Sequence, residues 1–175
     1  MAILIKSRQI VTDSWQLLKA VADGGGAVPA GDVIVPLEVW SKERERWLSR
    51  AGKMGVWLDS KDDPARIADD LSSFAVVAVN FPQFTDGRGY SIARLLRERY
   101  GWRGELRAIG DVLRDQLFYL SRCGFDAFAL REDQNAQAAL AAFDDFSEAY
   151  QASVERPQPL FRRRALIPSD AMDLA

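Results

Sequence analysis

The strongest constraint on this chain is a pattern that repeats along it. A short apolar run, too brief for a helix, is followed by a longer segment whose apolar residues recur at helical spacing. The runs fall at 33–37, 55–59, 74–79, 106–109 and 125–130. The run at 74–79 has no polar alternation, which fits a parallel strand covered on both faces. Trp40, Trp47, Leu48 and Ala51 share a face of a helix expected over 38–51, and Pro64 sits where a first helical turn accepts proline, ahead of Ile67, Ala68 and Leu71. A helix starting at or near Ser91 points Ile92, Leu95 and Leu96 inward and Arg94, Arg97 and Arg99 outward. Leu113, Leu117 and Leu120 form the next stripe, and a last long helix over 134–150 stacks Ala139, Phe143, Phe146 and Tyr150. Strands alternating with helices in this way specify right-handed βαβ units. The expected class is α/β: a mostly parallel sheet of about five βα units, open or curled as a partial TIM-barrel-like sheet, since five strands are too few for the closed eight-stranded form.

The ends read differently. Strand-like runs at 3–6 and 9–18 flank Ser7 and Arg8 and suggest a small β-hairpin, with a loop rich in glycine (Gly24, Gly25, Gly26) behind it. Residues 1–32 are thus hairpin and loop, and 156–175, past Pro157 and Pro159, an extended C-terminal tail. The 175 residues, 48% hydrophobic, are expected to form a single domain over 1–175. No stretch approaches the roughly twenty apolar residues of a membrane span, and the apolar run before Lys6 is too short for a signal peptide. Cytoplasm is the expected location, with which the absence of paired cysteines agrees.

Composition removes several chemistries. The chain has no histidine and one cysteine, Cys123. An imidazole base, a Ser-His-Asp triad, a histidine-held zinc or haem and a cysteine-held iron–sulfur cluster all need residues it lacks. Cys123, late in an apolar helical pattern, reads as a small buried hydrophobe. No metal site and no cofactor are expected; flavin stays open, although the Ser/Thr-rich phosphate loop after a first strand is missing. Gly87-Arg88-Gly89 lacks the third glycine of a dinucleotide fingerprint, and no Walker lysine follows any glycine cluster.

In parallel α/β sheets ligands bind beyond the carboxyl ends of the strands, so Asp59, Asn80, Asp111 and Arg131, which close four of the runs, are the first candidates. The loop Asp86, Gly87, Arg88, Gly89, Tyr90 and Ser91 joins that rim, and Arg114 lies just beyond Asp111. Two glycines there would let a ligand approach the backbone, and a helix start suits an anion. Structural readings stand beside these. Asp111 is a candidate helix N-cap, Asp59 with Ser60 a turn, Asn80 a brace for loop backbone and Asp86-Gly87 an ordinary turn pair. Arg88 gains little from packing and its fork suits an oxyanion or a carboxylate. Net charge is −2, which argues against nucleic acid, but it is uneven: six arginines at 88–107, four at 156–164, and five acids without a base at 132–148. Such blocks steer an acidic partner or a small anion. The aromatic residues are mostly core, and an exposed patch of them would allow a homodimer.

The stretches Asn80-Phe81-Pro82-Gln83-Phe84-Thr85-Asp86-Gly87-Arg88-Gly89-Tyr90-Ser91, Gly110-Asp111-Val112-Leu113-Arg114-Asp115-Gln116 and Arg122-Cys123-Gly124-Phe125-Asp126 resemble a bacterial family known as domain of unknown function nine-three-four. The resemblance covers nearly the whole chain. It implies the company of the assimilatory sulfite reductase system of proteobacteria, whose members carry the description probable oxidoreductase of sulfite reduction. The resulting expectation is an accessory protein of sulfite reduction, docking on the reductase or its electron donor through the arginine-rich face and the 86–91 loop. The alternative is a small oxyanion- or phosphate-binding enzyme with Arg88 as clamp and Asp59 or Asp111 as acid or base.

Overall fold

A computed structural model describes residues 2–19 and 29–164. The glycine cluster at 24–26 and the tail beyond 164 lie outside the described residues. The elements run β1 (Ala2–Lys6), β2 (Gln9–Asp13), β3 (Gln16–Leu17), β4 (Val33–Pro36), α1 (Leu37–Leu48), β5 (Met54–Leu58), a 3-10 segment (Pro64–Ser73), β6 (Val76–Phe81), α2 (Arg88–Glu98), β7 (Glu105–Gly110), a 3-10 turn (Arg114–Gln116), α3 (Leu117–Arg122), β8 (Ala127–Phe128), α4 (Ala136–Ala139), a second 3-10 segment (Leu140–Asp144) and α5 (Leu160–Arg164).

The five expected strands are β4 to β8, and they lie side by side in chain order, all parallel. Each crossover therefore steps the same way, and right-handed crossovers bring every connecting helix to one face. The sheet curls around the opposite face as a half-barrel. Among the described residues it has eight strands in the order β2-β1-β8-β7-β6-β5-β4-β3 and is mixed, which corrects the mostly parallel sheet of five units. The run at 9–18 is two strands. β2 pairs antiparallel with β1, whereas β3, beyond the Asp13–Trp15 corner, crosses to the far edge and pairs parallel with β4. The hairpin does not stand apart. Ile5 and Lys6 pair antiparallel with Phe128 and Ala127 and cover the otherwise open edge of β8, where an isolated two-stranded hairpin would be marginal. Its two-residue turn, Ser7 and Arg8, has both φ values positive at 50° and 62°, the conformation that matches strand twist.

Two cores follow from strand alternation. Val35, Val56, Leu58, Val77, Val79, Leu106 and Phe128 face the helices and pack on Trp40, Ile67, Leu96 and Leu117. Ile34, Val76, Ala78 and Ile109 face the concave side with Trp15, Trp57 and Ala129. Each buried valine, leucine or isoleucine among them is worth about 1.5–3 kcal/mol. The concave side also holds Arg107, 2% exposed, which donates to Asp13 at 2.8 Å and to Glu105 at 2.7 Å, while Lys6 reaches Glu105 at 2.7 Å. These ion pairs anchor the hairpin to β7.

The last helix is shorter than expected. α4 tightens into 3-10 after Ala139 and ends at Asp144, so Phe146 and Tyr150 stand in the open at 63% and 70% exposure instead of stacking on a helix face. Within the expected extended tail, 160–164 forms one helical turn.

Candidate functional site

Register brings the rim together. Leu58 pairs with Val79 and Phe81 with Gly110, so the residues closing β5, β6 and β7 meet at the C-terminal ends of the strands. Asn80 donates from Nδ2 to Asp59 Oδ1 at 3.3 Å. Asp59 Oδ1 also accepts from the Ser60 amide at 2.8 Å, the turn expected of it. Asn80 thus braces a neighbouring side chain and not loop backbone.

Asp111 does not cap the following helix. Its Oδ2 accepts from the Phe84 amide at 2.8 Å and its Oδ1 from Arg131 at 2.7 Å, so it ties the loop after β6 to the segment after β8. The cap is made by Gln116, whose Oε1 takes the Leu113 amide at 2.8 Å. Arg131 continues the chain by donating to both oxygens of Asp133, at 2.7 and 2.8 Å. These two carboxylates, Asp133 first, hold the Arg131 guanidinium even more firmly protonated than usual.

α2 begins at Arg88, three residues before Ser91, so Arg88 to Ser91 form its first turn. Asp86 accepts the Arg88 amide at 3.2 Å and grips the guanidinium with both oxygens, at 2.9 and 2.6 Å. That grip, with a bond from Ser60, holds the Asp86 carboxyl well below the usual carboxylate range. Arg88 is thus an exposed cation that already holds its own neighbour through Nε and Nη2, which takes up its side-on fork. The glycines have other uses than ligand approach. A Cβ on Gly89 would lie 2.6 Å from the Phe81 ring, so glycine sets how closely α2 packs on β6. Gly87, with φ −81°, needs no special conformation. Tyr90 packs on Phe81 and Tyr119 with ring centroids 5.2 and 5.0 Å away and accepts from Gln116 at 3.2 Å; burial pushes its phenol up. Ser91 is exposed. Arg114 pairs with Asp145 at 2.9 Å.

The arginine-rich face is thinner than its sequence suggests. Arg97 and Arg107 are buried, and Arg94 pairs with Glu98 at 2.9 Å. Arg97 donates to the carbonyls of Trp102, Gly104 and Gly124 and to Asp126, between 2.8 and 3.0 Å. Burial pushes the Asp126 carboxyl up, but it precedes β8 and so lies at the opposite end of the strands from the rim. Cys123 is a half-buried free thiol that burial likewise pushes up.

Two hollows were not legible as sites. A cavity of about 470 Å³ opens at the concave mouth of the half-barrel beside Trp57, Asn80, Ile109 and Arg131. A groove of about 540 Å³ runs along the outside of α3, between Phe118, Tyr119, Phe146 and Tyr150. The groove forms where the helix expected over 134–150 breaks, which no local pattern marks. Among the described residues no three His, Cys, Asp or Glu side chains converge to hold a metal ion, and no helix is long and apolar enough to cross a membrane.

A family model described as bacterial protein of unknown function (DUF934) matches residues 55–161, more than half of the chain. The match spans β5 to β8 and the groove and leaves out the N-terminal hairpin. No curated protein and no solved structure matches the chain.

Proposed function

The chain belongs to this bacterial family of unknown function, DUF934, and from that premise we propose that it is an accessory protein of assimilatory sulfite reduction that docks on sulfite reductase or its electron donor. The observation that carries the docking is a strip of aromatic side chains, exposed at Tyr119, Phe146 and Tyr150 and half-buried at Tyr90 and Phe118. It starts at the Arg88–Asp86 pair, passes through Tyr90 to the Tyr119 ring, and runs on into the groove of Phe118, Phe146 and Tyr150. Tyr119, Phe146 and Tyr150 are 52%, 63% and 70% exposed around one groove, and exposed apolar side chains clustered in this way mark interaction sites. Aromatic residues and arginine carry most interface energy, and paired charges at the edge set register and encounter rate more than affinity.

Composition supports an accessory role over the reduction itself. One cysteine cannot supply the ligands of an iron–sulfur cluster. Docking over anion turnover is supported by the carboxylates Asp86, Asp111 and Asp133, which already pair with Arg88 and Arg131 and offset their charge at the rim. Arg88→Glu tests the reading. It sets two carboxylates side by side at the end of the strip and is expected to slow growth on sulfate or sulfite as sole sulfur source, with the folded protein's circular dichroism unchanged. Unimpaired growth of that strain would count against docking through this strip.

A further inference from the structure

We propose that the concave mouth of the half-barrel is a binding site for a planar, uncharged, largely apolar small molecule. The inference goes beyond the docking role and uses none of the strip's residues.

The cavity, about 470 Å³, lies within the range that small-molecule sites occupy. It sits at the C-terminal ends of parallel strands, where side chains from successive strands converge and where such sheets bind ligands. Among the described residues the curl stops at eight strands in an open order, and none of these strands closes the mouth. Its walls are Leu17, Trp57, Ile109, Ala129 and Leu130. The Trp57 indole is fixed in place, donating from Nε1 to the Leu18 carbonyl at 2.8 Å, and presents a rigid aromatic wall.

Polarity is confined to one directional group and the lip. Asn80 is half-buried, and its carboxamide is oriented by the bond to Asp59. Gly110 leaves room for it: φ is +92°, and a Cβ there would collide with Asn80 Oδ1 at 2.5 Å and with the Phe81 carbonyl. At the lip stand Lys19, Arg131 and Glu132. Because Arg131 is closed on Asp111 and Asp133, these two cations face three carboxylates. An anion meets no open fork there, whereas a neutral flat molecule loses nothing to that charge and gains the apolar walls.

The test uses two fluorescent probes of one skeleton: N-phenylnaphthylamine, uncharged, and anilinonaphthalene sulfonate, the same rings bearing an anion. The purified full chain is expected to bind the neutral probe saturably, one per chain, and at least about tenfold more tightly than the sulfonate. Ala129→Trp fills the cavity and should weaken the neutral probe by about tenfold or more. Leu17→Glu, at a 39% exposed position on the wall, should do the same and keeps the test open if the tryptophan variant does not fold. Phe146→Ser, in the outer groove, should leave binding unchanged, which separates this site from the docking strip. The proposal is overturned by no saturable binding, by equal or tighter binding of the sulfonate, by retention in a folded cavity variant, or by loss in Phe146→Ser.

Discussion

Arg97→Met is the substitution whose cost the structure sets most firmly. The methionine replaces the arginine stem in volume, so apolar packing against α2 is largely kept, and what disappears is the guanidinium fork. That fork, 9% exposed, serves three backbone carbonyls, of Trp102, Gly104 and Gly124, as well as Asp126. Hydrogen bonds from a charged donor contribute about 1.5–3 kcal/mol each. Against that stands the cost of burying the guanidinium, which also pulls its pKa down and which the variant no longer bears. Asp126 stays 41% exposed, so its ion pair is discounted for screening and the carbonyls dominate. Three carbonyls left without their donor cost about 1–3 kcal/mol each, and with the relieved desolvation set against them the net loss is about 3–5 kcal/mol. For a chain of this size each kcal/mol moves the melting temperature by about 2–4 °C. Thermal unfolding followed by circular dichroism should therefore show a drop of about 6–20 °C, with Arg97→Lys recovering only a minor part, since a compact ammonium cannot span three carbonyls. A drop below about 3 °C would refute the reasoning, because it would mean that water replaces the fork at no cost.

Three further outcomes follow from the same geometry. Asp70 accepts from Arg44 at 2.9 Å and from the Trp40 indole at 3.0 Å, and the Arg44 bond foremost holds its carboxyl below the ordinary value. A lowered folded-state pKa gives stability that is present above the ordinary carboxylate range and is lost as pH falls through the lowered value. Asp70→Asn should accordingly lose less melting temperature than the wild type between about pH 5 and about pH 3; equal losses would contradict the assignment. Gly110→Ala adds a left-handed penalty of about 1–2 kcal/mol to an overpacking cost of about 1–3 kcal/mol, and chemical denaturation should report a loss of about 2–5 kcal/mol. Phe146→Ser and Tyr150→Ser, both at exposed positions, should change stability by less than about 0.5 kcal/mol and yet abolish capture of the reductase or its donor on an immobilised chain.

What the sequence disclosed and withheld divides along physical lines. Strands β4 to β8 were legible because both faces of a parallel strand are buried and each therefore reads as a continuous apolar run. The partner of a strand is not a local property, and so the run at 9–18 gave no sign that its halves serve opposite edges of one sheet. Arg97 was assigned outward by its charge, although it stands four residues after Ala93 and one after Leu96, both fully buried. Helical spacing already put it inside, and the carbonyls beside Gly104 and Gly124 that accept from it come from segments distant in sequence. At the rim, the convergence of Asp59, Asn80, Asp111 and Arg131 was legible from strand ends alone. Their pairing was not: which carboxylate closes on which guanidinium depends on loop paths, and that pairing turned Arg88 from a clamp into one end of a surface strip. Gly89 shows the same limit, since its role is set by the Phe81 ring across the helix–strand contact.

The measurement that tests the docking role most directly is native mass spectrometry of the chain isolated gently from its own bacterium grown with sulfate as sole sulfur source. The account predicts a complex with subunits of sulfite reductase or of its electron donor, and the loss of that complex in Arg88→Glu and Tyr150→Ser. A bare chain, or copies of this chain alone, from cells that are actively reducing sulfite would contradict it.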